Sequence, residues 1–309
     1  MPQNPYQHGR TLVVAFEGWN DAGDAASGAV RLLRELLDLD VIHEADPEVY
    51  IDYQFSRPVV SSDDDGTRRI IWPGITMYGP IDPLALPRID DAEAGSPRVV
   101  GENADNLYLL LGTEPSRSWK TFAGEIVETA LAHDIEFVIL LGALLADVPH
   151  SRPISVFGTS ASRDVRRAFS VERSTYEGPT GIVGVLGEAL ERAGIPTMSV
   201  WASVPHYVHN APSPKATLAL VDRLEEVLDV VIPRGELTDE AAAWESGIDA
   251  LADDDDEMAG YIQGLERARD AVESPEASGE AIAQEFEKYL RRGDGRAEPG
   301  VAGEEPRKP

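Results

Sequence analysis

Four polar loops could carry chemistry, and each follows an apolar run, where ligands bind in open α/β sheets. The first is Glu17-Gly18-Trp19-Asn20-Asp21-Ala22-Gly23. It stands between an expected strand and an expected helix, as a phosphate loop does. However, Glu17 and Asp21 make it acidic, and the terminal Gly-Lys-Ser/Thr is missing. A capped turn with Trp19 packed on a neighbour is the simpler reading. The second loop, Asp147-Val148-Pro149-His150-Ser151-Arg152-Pro153, gathers a carboxylate, an imidazole and a guanidinium within six residues. Asp147, His150 and Arg152 could serve as orienter, base and anion clamp, joined by Glu177 from the next loop. The competing reading, which we prefer, is a hydrogen-bonded loop that closes a subunit contact.

The third loop is Tyr176-Glu177-Gly178-Pro179-Thr180-Gly181, with glycines continuing at Gly184 and Gly187. Helical glycines cost about 1 kcal/mol each against alanine, so they imply close approach of a backbone or of a ligand at the helix start. The spacing is not Gly-x-Gly-x-x-Gly, and no dinucleotide is expected. The fourth loop runs from Ser203 through Pro205, His206, Tyr207 and His209 to Ser213-Pro214-Lys215-Ala216. No third histidine accompanies His206 and His209, so no metal is expected. Ser160 lacks the second glycine of a nucleophile elbow, because Ser162 stands there.

Composition narrows the classes further. At 309 residues the chain is twice the ~150 of a typical domain, enough for one large core with an appendage. Cysteine is absent, which removes disulfides, thiolate metal sites and cysteine nucleophiles together. Lys+Arg 27 against Asp+Glu 55 gives a net charge of -28, a field that repels polyphosphate and anionic lipid. Nucleic acid and membrane are therefore not expected as partners. No apolar run approaches the ~20 residues of a membrane span, and residues 1–9 lack an export signal, so a soluble cytoplasmic protein is expected. The four lysines, Lys120, Lys215, Lys288 and Lys308, are scattered and pair with no glycine-rich loop. That pattern argues against ATP chemistry, and no cofactor is expected.

The elements that must position these loops follow from periodicity. Residues 11–16 read as a fully buried strand, with Asp21 capping a helix whose apolar positions run from Ala22 to Leu37. Further apolar stretches at 41–42 and 50–55 precede a hairpin, in which 59–60 and 69–72 flank the turn Asp63-Asp64-Asp65-Gly66. Residues 80–97 read as irregular. Strands are then expected at 107–111, 137–145, 154–157, 171–176 and 197–204. Helices are expected at 118–132, near Arg163, at 181–193 and at 214–228. Such alternation predicts a three-layer αβα domain with a mostly parallel sheet over 1–235. Residues 236–292 read as an acidic helical extension with 17 acidic and 5 basic residues. Its apolar stripe, from Trp244 through Tyr261 and Leu265 to Val272, needs a partner surface. Residues 293–309 read as a disordered tail.

Taken together, the loops resemble the proteasome assembly chaperone two family of actinobacteria and archaea. The resemblance rests on Phe16 through Gly23, Gly112-Thr113-Glu114-Pro115-Ser116 with Trp119, the loop Asp147 to Pro153, Tyr176 through Gly181, Pro205-His206-Tyr207 and Ser213-Pro214-Lys215-Ala216. It implies a phosphorylase-like αβα fold, a homo-oligomer such as a trimer, and binding of proteasome-related proteins without ATP. It also marks Glu17, Trp19, Asn20, Asp21, Asp147, His150, Arg152, Tyr176, Glu177, Gly178, Thr180, His206 and Tyr207 as binding-loop candidates. Proteasome-docking relatives can end in a hydrophobic residue, a tyrosine and one more residue. The sequence given ends Pro306-Arg307-Lys308-Pro309, so docking by that route is not expected. The expectation is thus a non-enzymatic scaffold, against a small-molecule enzyme at the sheet's carboxyl edge as the alternative.

Overall fold

The computed structural model describes residues 4–63, 65–81, 97–208 and 211–273. Its first half comprises β1 (Thr11–Glu17), α1 (Ala25–Leu36), β2 (Leu39–Ala45), α2 (Pro47–Tyr50), β3 (Val59–Ser62), β4 (Arg68–Ile71), β5 (Ile75–Pro80), β6 (Leu107–Thr113) and α3 (Trp119–Ala132). The second half comprises β7 (Phe137–Ala146), β8 (Val156–Thr159), α4 (Arg163–Phe169), α5 (Ile182–Arg192), β9 (Thr197–Pro205), α6 (Pro214–Leu228), α7 (Leu237–Asp253) and α8 (Asp256–Glu273).

Seven strands form one sheet in the order β2-β5-β6-β1-β7-β9-β8. The central four, β6, β1, β7 and β9, pair in parallel, while β8 and β5 flank them antiparallel and β2 reverses again. Burial explains the composition of the centre. Strands covered on both faces need apolar side chains at every position, and β7 reads Phe-Val-Ile-Leu-Leu-Gly-Ala-Leu-Leu-Ala.

Alternate residues of β1 feed two cores. Val13 and Ala15 meet Ala26, Val30 and Leu33 of α1 and Leu220 and Leu224 of α6 on one face. Leu12, Val14 and Phe16 meet Phe122 and Ile126 of α3 and Ile182, Leu186 and Leu190 of α5 on the other. Each helix presents one apolar stripe at 3.6-residue spacing, and this produces the three-layer αβα architecture.

The C-terminal helices lie against this body: α7 packs along α6, and α8 packs back on α7. Ala241, Ile248, Ala252 and Ile262 are buried there. Over 237–273 the extension is helical, as two helices. Asp254 caps the end of the first, and Asp255 starts the second, its Oδ1 accepting from the N–H groups of Glu257 at 2.9 Å and Met258 at 3.1 Å. Of the expected apolar stripe, Ile248 and Ile262 are covered by this chain itself, while Leu251 and Tyr261 stay exposed.

Two expectations change. No strand forms at 171–176. Glu172, Arg173, Ser174 and Thr175 are exposed and have no apolar face to bury, and only an isolated bridge joins Glu172 to Thr159. The strand expected at 154–157 sits two residues later, as β8, where Val156 to Thr159 pair with Ala202 to Ser199. His209, residues 274–292 of the expected helical extension, the tail 293–309, and most of the segment 80–97 lie outside the described residues.

Candidate functional site

The carboxyl ends of β1 and β7, beside the middle of β9, open into a cavity of about 720 Å³. The turn from Gly18 to Asp24 forms one wall, and Ala143, Leu144 and Leu145 with Ser199 and Trp201 form the floor. Phe157, Thr159, Ser174, Tyr176, Pro179 and Thr180 close the opposite side. Trp19 stands at the rim, 62% exposed, whereas Asn20 and Asp21 are buried.

Asp21 and Glu114 build this crown. Asp21 Oδ1 accepts from Ala26 N at 2.7 Å and Ser27 N at 3.2 Å, so the expected cap of the first helix forms at its opening turn. Burial lifts the Asp21 carboxyl from 3.8 to about 6, against the hydrogen bonds from Ser27 and Ala26 and with help from nearby Asp24. Its Oδ2 is buried without a hydrogen-bond partner among the described residues. Glu114 Oε1 accepts from Asn20 Nδ2 at 3.0 Å and from Ile182 N at 2.9 Å, and so caps α5. Glu17 pairs with Arg31 and accepts from Thr113 Oγ1 at 3.2 Å. Gly181 is close-packed, as its sequence context suggests, since a Cβ there collides with the Asn20 amide.

The loop containing Asp147, His150 and Arg152 faces the C-terminal helices. His150 is 1% exposed. Its Nε2 lies 3.0 Å from Asp249 Oδ1 on α7, its Nδ1 2.8 Å from the Tyr207 hydroxyl, and its backbone N–H donates to that hydroxyl at 2.7 Å. One proton arrangement satisfies all three contacts. Nε2–H donates to the carboxylate, while the phenol accepts from the backbone and donates to Nδ1. Burial pushes the Tyr207 hydroxyl up to about 12, against the hydrogen bond from the His150 backbone and with help from Tyr261, Glu266 and Asp249.

Arg152 reaches Asp270 on α8 with Nε at 2.8 Å and Nη2 at 2.9 Å, and Ser151 Oγ donates to Glu266 at 2.5 Å. Lys215 Nζ donates to the His150 carbonyl at 2.6 Å and to Glu245 at 2.5 Å. Asp147 pairs with His206 at 3.4 Å, not with His150. The rings of His206, Tyr207 and Tyr261 cluster within 6.0 Å of one another.

A second concavity, about 680 Å³, lies between the Glu17–Gly18 and 112–116 loops and the root of the β3–β4 hairpin. Val59 faces Ile71 and Val60 faces Ile70 across that hairpin, and all four are more than half exposed. Phe55 and Trp72 extend the apolar surface, with Trp72 edge-on to Tyr53 at 4.9 Å.

The candidate residues therefore separate into two groups. Glu17, Trp19, Asn20, Asp21, Tyr176 and Thr180 stand on the cavity or its support, while Asp147, His150, Arg152, His206 and Tyr207 hold the C-terminal helices. Glu177 and Gly178 are exposed, and none of Asp147, His150, Arg152 or Glu177 lines either concavity. Glu114, Asp249, Glu266 and Asp270 escaped notice as site residues, because only tertiary pairing 68 to 118 positions away gives them their roles. Among the described residues no group of three His, Asp or Glu side chains could hold a metal ion, and no helix is long and apolar enough to cross a membrane.

Known proteins share this fold. The crystal structure of a PAC2 family protein from Streptomyces avermitilis is 44% identical, with a TM-score of 0.68, covering 82% of this chain and 99% of that one. A proteasome-assembly chaperone homologue from Mycobacterium tuberculosis is 42% identical, with a TM-score of 0.66 and the same coverage. An archaeal homologue of proteasome-assembly chaperone from Pyrococcus furiosus, 19% identical with a TM-score of 0.52, covers 85% of this chain and 96% of that one and shares the fold. No curated protein matches the chain. The PAC2 family profile matches residues 15–252, a span that takes in the β1 turn, the Asp147 to Pro153 loop and most of α7. With a profile match over most of its length and these relatives above 40% identity, the chain belongs to the PAC2 family.

Proposed function

We propose that this protein is a non-enzymatic, ATP-independent, homo-oligomeric scaffold of the proteasome-assembly-chaperone type, working in the cytoplasm on proteasome-related proteins. Residues 1–235 are its binding domain and 236–292 an extension, whose helices α7 and α8 are clamped to that domain. The observation that carries this reading is the β3–β4 hairpin, apolar on both faces at Val59, Val60, Ile70 and Ile71 and exposed on both. A two-stranded ribbon is marginal by itself, and a contiguous exposed apolar patch on a soluble domain marks an interaction surface. The patch also adjoins an aromatic-edged concavity, so a convex and a concave surface lie side by side. Kinship with the mycobacterial chaperone homologue supplies the class of partner.

The rival reading, catalysis by Asp147, His150, Arg152 and Glu177, has less support. The first three are engaged by His206 or by α7 and α8, and Glu177 stands in solvent. Light scattering on the native chain and on the Val60→Ser/Ile70→Ser variant is the first test, with an oligomer expected for the former and dissociation for the latter. Affinity capture from the native host with mass spectrometry is the second, with proteasome subunits expected on the native chain and lost from the variant. A 33.5 kDa monomer at micromolar concentration, or capture indifferent to the substitutions, overturns the proposal.

A further inference from the structure

The cavity at the carboxyl ends of β1 and β7 and the middle of β9 belongs to neither the hairpin surface nor the docked helices. Its volume, about 720 Å³, lies in the range of small-molecule sites, roughly 300–1,000 Å³. Three observations define what it can take.

The first is what it turns away. Helices α1 and α5 both begin at this cavity, and helix starts ordinarily welcome anions through unsatisfied N–H groups. Here the chain's own carboxylates have taken those positions, Asp21 on Ala26 and Ser27, Glu114 on Ile182. A phosphate or carboxylate ligand finds these donors used and two negative charges in place.

The second is the sign of the field. Asp21 and Asp24 are the charged side chains of the lining, and no Lys, Arg or His is among the described residues that line it. Asp21 is 4% exposed, and its Oδ2 has acceptor capacity that no described residue uses. Glu17 is offset by Arg31, but Glu114 meets only neutral donors, Asn20 Nδ2 and Ile182 N–H.

The third is the apolar surface. Trp201 lies in the floor, Phe157 and Tyr176 in the far wall, and Trp19 at the rim. Aromatic faces beside carboxylates attract organic cations, through the ring quadrupole and through charge, and they accommodate a ring body.

We propose that this cavity binds a small organic cation with an aromatic body, of the arylalkylamine class. Its ring packs among Trp201, Tyr176 and Phe157, and its ammonium faces the Asp21–Asp24 turn.

The test uses three probes with one ring and different charge: 2-phenylethylamine, 2-phenylethanol and phenylacetate. The full chain is labelled with 5-fluorotryptophan, and the Trp19 and Trp201 resonances are identified with Trp→Phe variants. Titration at about pH 7.5 and low salt should shift Trp201 most with the amine, which binds about tenfold tighter than the alcohol, as a nearby full charge at intermediate dielectric supplies. Phenylacetate should leave Trp201 unmoved. Asp24→Asn keeps the left-handed backbone, φ 50°, that Asn tolerates, and should weaken the amine several-fold while leaving the alcohol unchanged. Added salt should weaken the amine alone. Equal binding of amine and alcohol, preference for phenylacetate, or no shift of Trp201 with any probe overturns the proposal.

Discussion

Gly142 on β7 stands directly opposite Trp201 on β9, and a Cβ on Gly142 lies 2.5 Å from indole atoms Cε3 and Cζ3. The bare backbone of one strand is therefore the seat of the indole on the next. Gly142→Ala should force the rigid ring off its rotamer and cost about 1–3 kcal/mol, as overpacking does. Near-UV circular dichroism should change along with the melting temperature. Adding Trp201→Leu should recover most of the stability, and failure to recover it places the strain elsewhere.

The network around His150 predicts an asymmetry between neighbours. His150→Ala empties a buried position, leaves the partly buried Tyr207 hydroxyl without its imidazole partner and frees the more exposed Asp249 to water, and should cost about 1–3 kcal/mol. Arg152→Ala removes a bidentate contact with Asp270 that is partly open to water, and should cost only about 0.2–1 kcal/mol. Thermal denaturation measures both. Limited proteolysis should find 237–273 cleaved faster in the first variant than in the second. Unshifted midpoints in both variants rule out a structural role for the loop.

Asp21 imposes a pH dependence of definite sign. Its folded value, about 6, exceeds the ordinary 3.8, so between these values the folded chain holds a proton that the unfolded chain releases. The stabilising contribution is full below about 3.8 and lost once pH has risen through about 6. Asp21→Asn can still cap α1 and carries no proton to titrate. The variant should gain on the native chain as pH rises from 4 to 7, by up to about 3 kcal/mol at roughly 1.4 kcal/mol per unit. Denaturant melts across that range decide it, and a constant difference removes Asp21 as the source.

Self-association should tighten with salt. Each copy carries -28, and at ~0.1 M salt the screening length is still about 10 Å, so approaching copies repel. Sedimentation velocity at low and high ionic strength should show a larger assembled fraction at high salt. The reverse outcome makes attraction between opposite charges the dominant interfacial force.

The legibility of these features in the sequence divides by range. β1, α3, β7, α5, β9 and α6 could be read because each buries an apolar pattern at its own period, and the β3–β4 turn because Asp63 to Gly66 break it. The Asp21 cap is equally local. Residues 171–176 mislead because Val171 and Tyr176 bracket a polar stretch that suggests alternation yet has no covered face. Asp254 and Asp255 conceal a helix break within an acidic run. For the candidate site, the proximity of Asp147, His150 and Arg152 is visible in one loop. Their partners are not: Asp249 lies 99 positions from His150 and Asp270 lies 118 from Arg152, and no local signal joins them. Glu114 as the cap of α5 fails to show for the same reason, because Ile182 is 68 positions away.

That long separation between Arg152 and Asp270 also sets a timetable. On the ribosome the loop is made well before its cover, and at ~5–20 residues per second the 118 intervening positions take on the order of ten seconds. Throughout that interval His150 and Tyr207, once made, face water or whatever else is present. The helical pair, made last of the described elements, can close over the loop only after that interval. Contacts that close late are the ones whose loss speeds unfolding more than it slows folding. Among the described elements the α7–α8 pair is thus the last that can close, and its release is the first opening expected under stress.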